Sequence, residues 1–226
     1  MDFNFNNKTV LITGGGSGLG KTIVETFKKL GANVVFTYNS SIDSAKTLER
    51  ENVRAYKFNQ GNLDEIEPLV NSIMNDYGHI DVLINNAGIY PGKTISEITE
   101  KDFDEMVTVN TKGVFFLSRC VADNMKQGSI INISSINATN PGKILAHYGM
   151  SKAGVEMQTR SMAVEYGPNI RVNCIAPGLI NRQGIENNIP VWVESYSQRA
   201  ILKHLVEPGF KGIKLHPVYQ GLPIDA

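Results

Sequence analysis

The sequence predicts an α/β protein: a doubly wound parallel sheet with helices on both faces, three layers α/β/α. Three observations carry this. Short apolar runs alternate strictly with longer segments of helical periodicity along most of the chain. A glycine-rich turn, Thr13 to Gly20, joins the first run to the first helical segment. The length of 226 residues and an apolar content of 42% suit one such domain, or one domain with an appendage.

The first strand is Val10-Leu11-Ile12, short and wholly apolar as a buried parallel strand should be. After the glycines, Ile23, Val24, Phe27 and Leu30 share one helical face, and Gly31 is a helix stop. Residues 33–38 read as the second strand and 41–51 as a helix, with Ser41 or Asp43 as N-cap. Residues 53–58 form the third strand. Residues 63–77 form a helix with Ile66, Leu69, Val70 and Ile73 on one face. The fourth strand is 81–84, followed by one long helical stretch, 100–125. The fifth strand is 129–133, the next long helix 147–166, and the sixth strand 170–175. Parallel strands need such crossover helices, and ligands of such sheets sit at the carboxyl ends of the strands.

The first strand, turn and helix together have a chemical meaning. They aim backbone N–H groups and the positive end of a helix dipole at one point, which suits a phosphate. A Cβ in the turn would hold a pyrophosphate away from the backbone. The alternative is a turn with no ligand, and the flanking strand and helix weigh against it.

The spacing Thr13-Gly14-x-x-x-Gly18-Leu19-Gly20 resembles the short-chain dehydrogenase/reductase family, whose glycine motif is TGxxxGxG. Asn85-Asn86-Ala87-Gly88 matches that family's NNAG motif, and Tyr148-x-x-x-Lys152 its catalytic pair. Ser135 and Asn110 stand where the family places a serine and a helix-opening asparagine. The resemblance spans roughly residues 8 to 207. It implies a Rossmann-like fold, with an NAD(P)-binding domain over 1–208 and an atypical tail over 209–226. It also implies hydride transfer between NADP(H), or NAD(H), and a secondary alcohol or ketone. 3-Oxoacyl, cyclic and sugar-derived carbonyls are candidate substrates. In that reading Gly14, Ser17, Gly18, Leu19 and Gly20 take the pyrophosphate side, and Asn86, Ala87 and Gly88 back the cofactor. Pro177 and Gly178 line the nicotinamide side, and Tyr148 and Lys152 touch the cofactor as well as the substrate.

The catalytic pair has a physical rationale beside the resemblance. Four residues apart on a helix, Tyr148 and Lys152 share a face. Free tyrosine titrates near 10, so a tyrosine base near neutrality needs a shift of about 3 units, or about 4 kcal/mol. An ammonium about 4 Å away supplies on the order of 4 kcal/mol at an effective dielectric of about 20. The oxidised nicotinamide implied by the resemblance adds a further positive charge, so that tyrosine, lysine and cofactor together make the acid/base. Ser135, at the end of the fifth strand, is placed to hydrogen-bond a substrate oxygen. A mid-helix asparagine such as Asn110 otherwise faces solvent or marks a kink.

Cofactor choice is read at the end of the second strand. An acid there accepts from the ribose hydroxyls of NAD and repels the 2′-phosphate of NADP. Asn39 stands there instead, which favours NADP, with loose specificity as the alternative. Asn59, where relatives carry Asp against adenine, either accepts from the adenine amino group or is a loop residue. Arg182 replaces the threonine that relatives often carry near the carboxamide, and is open to an anionic group.

Several function classes are excluded or disfavoured. Acidic and basic residues balance at 22 each, so no charged face for nucleic acid or an anionic membrane is expected. No apolar stretch reaches membrane-spanning length, and the two cysteines, Cys120 and Cys174, suggest reduced thiols in a cytoplasmic protein. The histidines are scattered, so no metal site is expected.

The resemblance ends near the C-terminus. Residues 189–206, with Trp192, Tyr196, Ile201 and Leu205, suit a substrate-covering helix. The following GFKGIKLHPVYQGLPIDA is similar to a segment of metal-dependent amidohydrolases around His216, without that family's other ligands. The tail is expected to give a short edge strand near 213–215 or to stay disordered. Assembly is then expected as a homo-oligomer: a dimer through 100–125 and 147–166, with a weakened tetramer. A dinucleotide-binding protein without turnover is the alternative function.

Overall fold

The structure is a computed structural model that describes residues 4–40, 42–178 and 180 and the backbone of 213 and 214. Its strands are β1 (Thr9–Ile12), β2 (Asn33–Tyr38), β3 (Val53–Lys57), β4 (Val82–Asn85), β5 (Gly128–Ile133), β6 (Ile170–Pro177) and β7 (Ile213–Lys214). They lie in the order β3-β2-β1-β4-β5-β6-β7. The first six are parallel, and β7 pairs antiparallel with the end of β6, Ala176 opposite Lys214 and Pro177 opposite Ile213. The strand order reverses between β1 and β4, and that switch point opens a crevice at the carboxyl edge.

The side-chain alternation of the strands builds two cores. Val10, Ile12, Val34 and Phe36 pack on one face, with Val24 of α1 (Gly18–Lys29). Leu11, Val35, Leu83 and Ile130 pack on the other. They meet Leu69, Val70 and Ile73 of α3 (Ile66–Tyr77), Leu117 and Val121 of α5 (Gly113–Asp123) and Met162 of α6 (Ala146–Tyr166). Each such fully buried side chain contributes about 1.5–3 kcal/mol by leaving water, so the central strands are held from both faces.

Element boundaries differ from the sequence reading where a side chain redirects the backbone. The 41–51 helix is only α2 (Ile42–Leu48), because Arg50 and Val53 exchange two backbone hydrogen bonds that turn the chain into β3. Ser41 lies outside the described residues. The 63–77 helix opens as a 3-10 turn, Leu63–Glu65, where Asn62 accepts from the Asp64 N–H. β4 starts one residue later than expected. The Asp81 carboxylate is occupied instead, accepting from the Thr9 N–H at 2.8 Å and from the Lys8 ammonium at 2.9 Å.

The largest correction concerns 100–125. α4 (Glu100–Val107) begins at a capping box between Thr99 and Asp102, but it gives way to a π-helical turn, Thr108–Lys112, before α5 resumes. Two contacts force the wider turn. Asn110 is gripped by the loop after β4, and Gly113 packs where a Cβ would stand 2.2 Å from the Gln60 carbonyl oxygen. The expected substrate-covering helix at 189–206 and the amidohydrolase-like segment around His216 lie outside the described residues.

Candidate active site

The glycine turn sits at the carboxyl end of β1, between β2 and β4. Gly14 and Gly18 adopt φ of +67° and +52°, a region that side chains avoid. At Gly20 a Cβ would come 2.2 Å from the Gly14 carbonyl oxygen, so helix and turn touch backbone to backbone. Ser17 is the N-cap residue of α1, yet its side chain makes no capping bond, and it is exposed. Backbone N–H groups at the start of α1 are therefore available to an anion. The cradle fits a dinucleotide pyrophosphate on those grounds.

The asparagine segment after β4 is laced to this turn. The Thr13 hydroxyl oxygen accepts from the N–H groups of Asn86 and Ala87 at 3.0 and 2.9 Å. Asn86 Nδ2 donates to the carbonyls of Thr13 and Gly14 at 2.9 and 3.3 Å. Asn86 is thus a brace for the glycine turn. Asn85 points the other way, donating to Ser118 Oγ and Asn132 Oδ1, both at 2.8 Å, and so ties β4 to α5 and β5. Gly88 brings the chain close to two site residues: a Cβ there would lie 3.0 Å from Asn110 Oδ1 and 3.5 Å from Lys152 Nζ.

Towards the β2 edge, Asn39 and Asn59 line one groove of about 590 Å³ with Tyr56, Lys57, Glu65 and Leu69. Asn39 is exposed. The Asn59 side-chain oxygen already accepts from the Gly61 N–H at 3.0 Å, which makes it a turn residue as well as a groove residue.

At the other end, Ser135, Tyr148 and Lys152 converge. Ser135 follows β5 and caps a 3-10 turn, Ile136–Ala138, with its hydroxyl oxygen accepting from the Asn137 N–H at 3.2 Å. Tyr148 is in the first turn of α6, with the Ser135 side chain near enough to act on its phenol. Lys152 is buried one turn on. Its ammonium donates to the Ile133 carbonyl at 2.8 Å and stands 5.9 Å from the centre of the Tyr148 ring.

The electrostatics differ from the sequence expectation. Burial pushes the Tyr148 phenol above its ordinary value, while the Ser135 side chain pulls it down. Burial also lowers Lys152, to about 8. The protein's own Lys152 therefore does not by itself produce the low tyrosine pKa that the pairing suggests.

Asn110 is fully buried and faces neither solvent nor a kink alone. Its side chain donates to the Ile89 carbonyl at 2.8 Å and to Ser151 Oγ at 3.1 Å, and Ser151 Oγ donates to the Tyr148 carbonyl at 2.7 Å. The π turn, the loop after β4 and α6 are thereby joined at one residue. Pro177 closes β6 rather than following it, and Gly178 comes next.

Two residues that the sequence reading passed over belong to this framework. Gln60 donates through Nε2 to the carbonyls of Ala87 and Val109, at 3.2 and 2.9 Å, and so links the groove end to the Asn110 turn. Tyr90, just beyond the asparagine segment, sets its ring 6.3 Å from that of Tyr148. Neither lies in a motif, and only proximity to NNAG pointed towards Tyr90. Arg182 lies outside the described residues. Among the described residues there is no cluster of three metal-ligating side chains, and no helix is long and apolar enough to cross a membrane.

A family model described as short chain dehydrogenase matches residues 8–191. The chain is 39% identical over 185 residues to a 3-oxoacyl-acyl-carrier-protein reductase FabG of Thermotoga maritima, across 76% of this chain and 74% of that one. It is 38% identical over 186 residues to a 2-dehydro-3-deoxy-D-gluconate 5-dehydrogenase of Formosa agariphila, across 78% and 70%. Among solved structures, a short chain dehydrogenase from Burkholderia cenocepacia in complex with NADP superposes with a TM-score of 0.82 at 26% identity, covering 88% of this chain and 84% of that one.

Proposed function

This chain belongs to the short-chain dehydrogenase family, and we propose that Tyr148, Ser135, Lys152 and Asn110 carry its reaction. It is an NAD(P)-dependent oxidoreductase acting on CH–OH groups and the corresponding carbonyls. The observation that carries the site assignment is the convergence of Tyr148, Ser135 and a buried Lys152 whose ammonium stands 5.9 Å from the centre of the Tyr148 ring.

When bound, the nicotinamide gives or takes the hydride. Ser135 holds the substrate oxygen, and Tyr148 gives it a proton in reduction or takes one in oxidation. Lys152 holds the ribose and adds positive charge beside the phenol. A neighbouring positive charge favours the phenolate, which offsets the burial that raises Tyr148. Asn110 anchors a water on the path of the returning proton. Gly14, Ser17, Gly18, Leu19 and Gly20 hold the pyrophosphate. Asn86, Ala87 and Gly88 back the cofactor, and Pro177 and Gly178 face the nicotinamide. Asn39 and Asn59 take the adenosine end, with NADP preferred because no acid stands at position 39.

Replacing Tyr148 by Phe tests the assignment. Turnover of a carbonyl panel, read as loss of reduced-cofactor absorbance, should fall by about 10²–10⁴, the contribution of a positioned acid/base, with the cofactor Kd unchanged. Near-normal turnover in that variant would refute the role.

The assembly proposed is a homodimer through α4, α5 and α6. Met150, Met157 and Val164 are exposed at seven-residue spacing on α6, and Phe103 and Phe115 add apolar surface on α4 and α5. A cytoplasmic location is proposed from the two free cysteines. Light scattering at micromolar concentration tests the assembly, and a robust tetramer would contradict the weakened form.

A further inference from the structure

The loops after β4 and β5 meet in a contact that strains the backbone and leaves apolar atoms in water. Ile144 has φ +58°, in the left-handed region where a β-branched side chain crowds its own main chain. Its side chain gains little burial in return, since the residue is 52% exposed. Two neighbours nevertheless hold it in place. The Lys93 N–H donates to the Ile144 carbonyl at 2.8 Å. Gly92 leaves the space that Ile144 fills, because a Cβ there would come 2.7 Å from Ile144 Cδ1.

The same loop carries Tyr90, which is 53% exposed and stands edge-on to Tyr148, with ring centres 6.3 Å apart and planes at 63°. Two large apolar side chains are therefore displayed beside the first turn of α6. The cation of that loop is turned away, the Lys93 ammonium meeting Asp102 at 2.7 Å. Backbone strain of this kind clusters at active sites and ligand clamps.

We propose that Tyr90 and Ile144 form an apolar clamp at the mouth of the site, selecting ketones and secondary alcohols with a flat or branched apolar substituent over small polyhydroxylated ones. The proposal rests on the reading that Tyr148 is the acid/base, because Tyr148 fixes where the reacting oxygen lies. A substituent leaving the carbonyl on the Tyr90 side of Tyr148 would reach the loop whose Gly92 and Lys93 hold Ile144. An aromatic ring or branched acyl group buries apolar area there, whereas a polyol loses water without gaining a partner.

The test compares 1-phenyl-1,2-propanedione with dihydroxyacetone at saturating NADPH, in the wild type, Ile144→Gly, Tyr90→Ala and Tyr148→Phe. The wild type should prefer the phenyl ketone in kcat/KM by about tenfold or more, and the Ile144 and Tyr90 variants should each lose about fivefold of that preference, through KM. Ile144→Gly should melt at or above the wild-type temperature, since glycine adopts φ +58° without strain. An unchanged preference in both variants overturns the clamp. Equal loss on both ketones also overturns it, marking Ile144 as a brace of the loop. A wild type that turns over dihydroxyacetone faster, or neither ketone, overturns the substrate class. Near-normal turnover by Tyr148→Phe is a separate failure, of the acid/base assignment on which the clamp is centred.

Discussion

Asn110 holds the main chain of Ile89 from both sides: its Oδ1 accepts the Ile89 N–H at 2.8 Å, and its Nδ2 donates to the Ile89 carbonyl at 2.8 Å. A side-chain amide thus stands in for a strand partner in the loop after β4, and the π turn is the backbone geometry that brings it there.

Asn110→Leu removes both bonds and leaves two backbone groups of Ile89 unpartnered. Urea unfolding should show a loss of about 1 kcal/mol or more, the cost of stranding partly buried polar groups. Turnover should fall further than stability alone explains, because Ser151 and the Tyr148 carbonyl share the network. Full stability in this variant would show that the loop finds other partners.

Lys152 gives a pH signature of a defined sign. Its folded value, about 8, lies below its ordinary value of 10.5, so the unfolded chain binds more protons between the two. Stability from this group is lowest below about 8 and rises as pH climbs through that window, the penalty amounting to on the order of 3 kcal/mol. Lys152→Met, which has no charge to bury, should therefore gain on the wild type below pH of about 8 and lose that advantage by about 10.5. Denaturant titrations across that range check it. A stability difference that does not change with pH would place the lysine charge in solvent.

Gly20→Ala forces a methyl group to within 2.2 Å of the Gly14 carbonyl oxygen, an atom of the backbone that cannot swing aside. The glycine turn and α1 must separate. Cofactor affinity, followed by fluorescence of the reduced cofactor, should fall by about tenfold or more, as 1.4 kcal/mol of lost fit is tenfold in Kd. Unaltered affinity would mean that the cradle is not the phosphate site.

Asn39→Asp puts a carboxylate at the exposed end of β2, beside the groove shared with Asn59. The ratio of kcat/KM for NADPH over NADH should fall by about tenfold or more, since the new charge repels a 2′-phosphate and accepts from ribose hydroxyls. An unchanged ratio would assign cofactor choice to another position.

The sequence by itself determined the order of the elements, the doubly wound class and the residues of the motifs. Val10 to Ile12, Gly14, Gly18 and Gly20 act through backbone sterics and local burial, which a linear pattern records. The Tyr148–Lys152 pairing follows from one helical turn. The tertiary structure alone decided what those groups experience. The break in 100–125 depends on the Asn110 amide finding Ile89, 21 residues away, and on Gly113 meeting Gln60. Helical periodicity is blind to both contacts. The upward shift of Tyr148 and the lowering of Lys152 come from burial, which is a property of the assembled packing and of no single residue. The contact of Gly92 and Lys93 with Ile144 likewise exists only because two loops, distant in sequence, are fixed side by side.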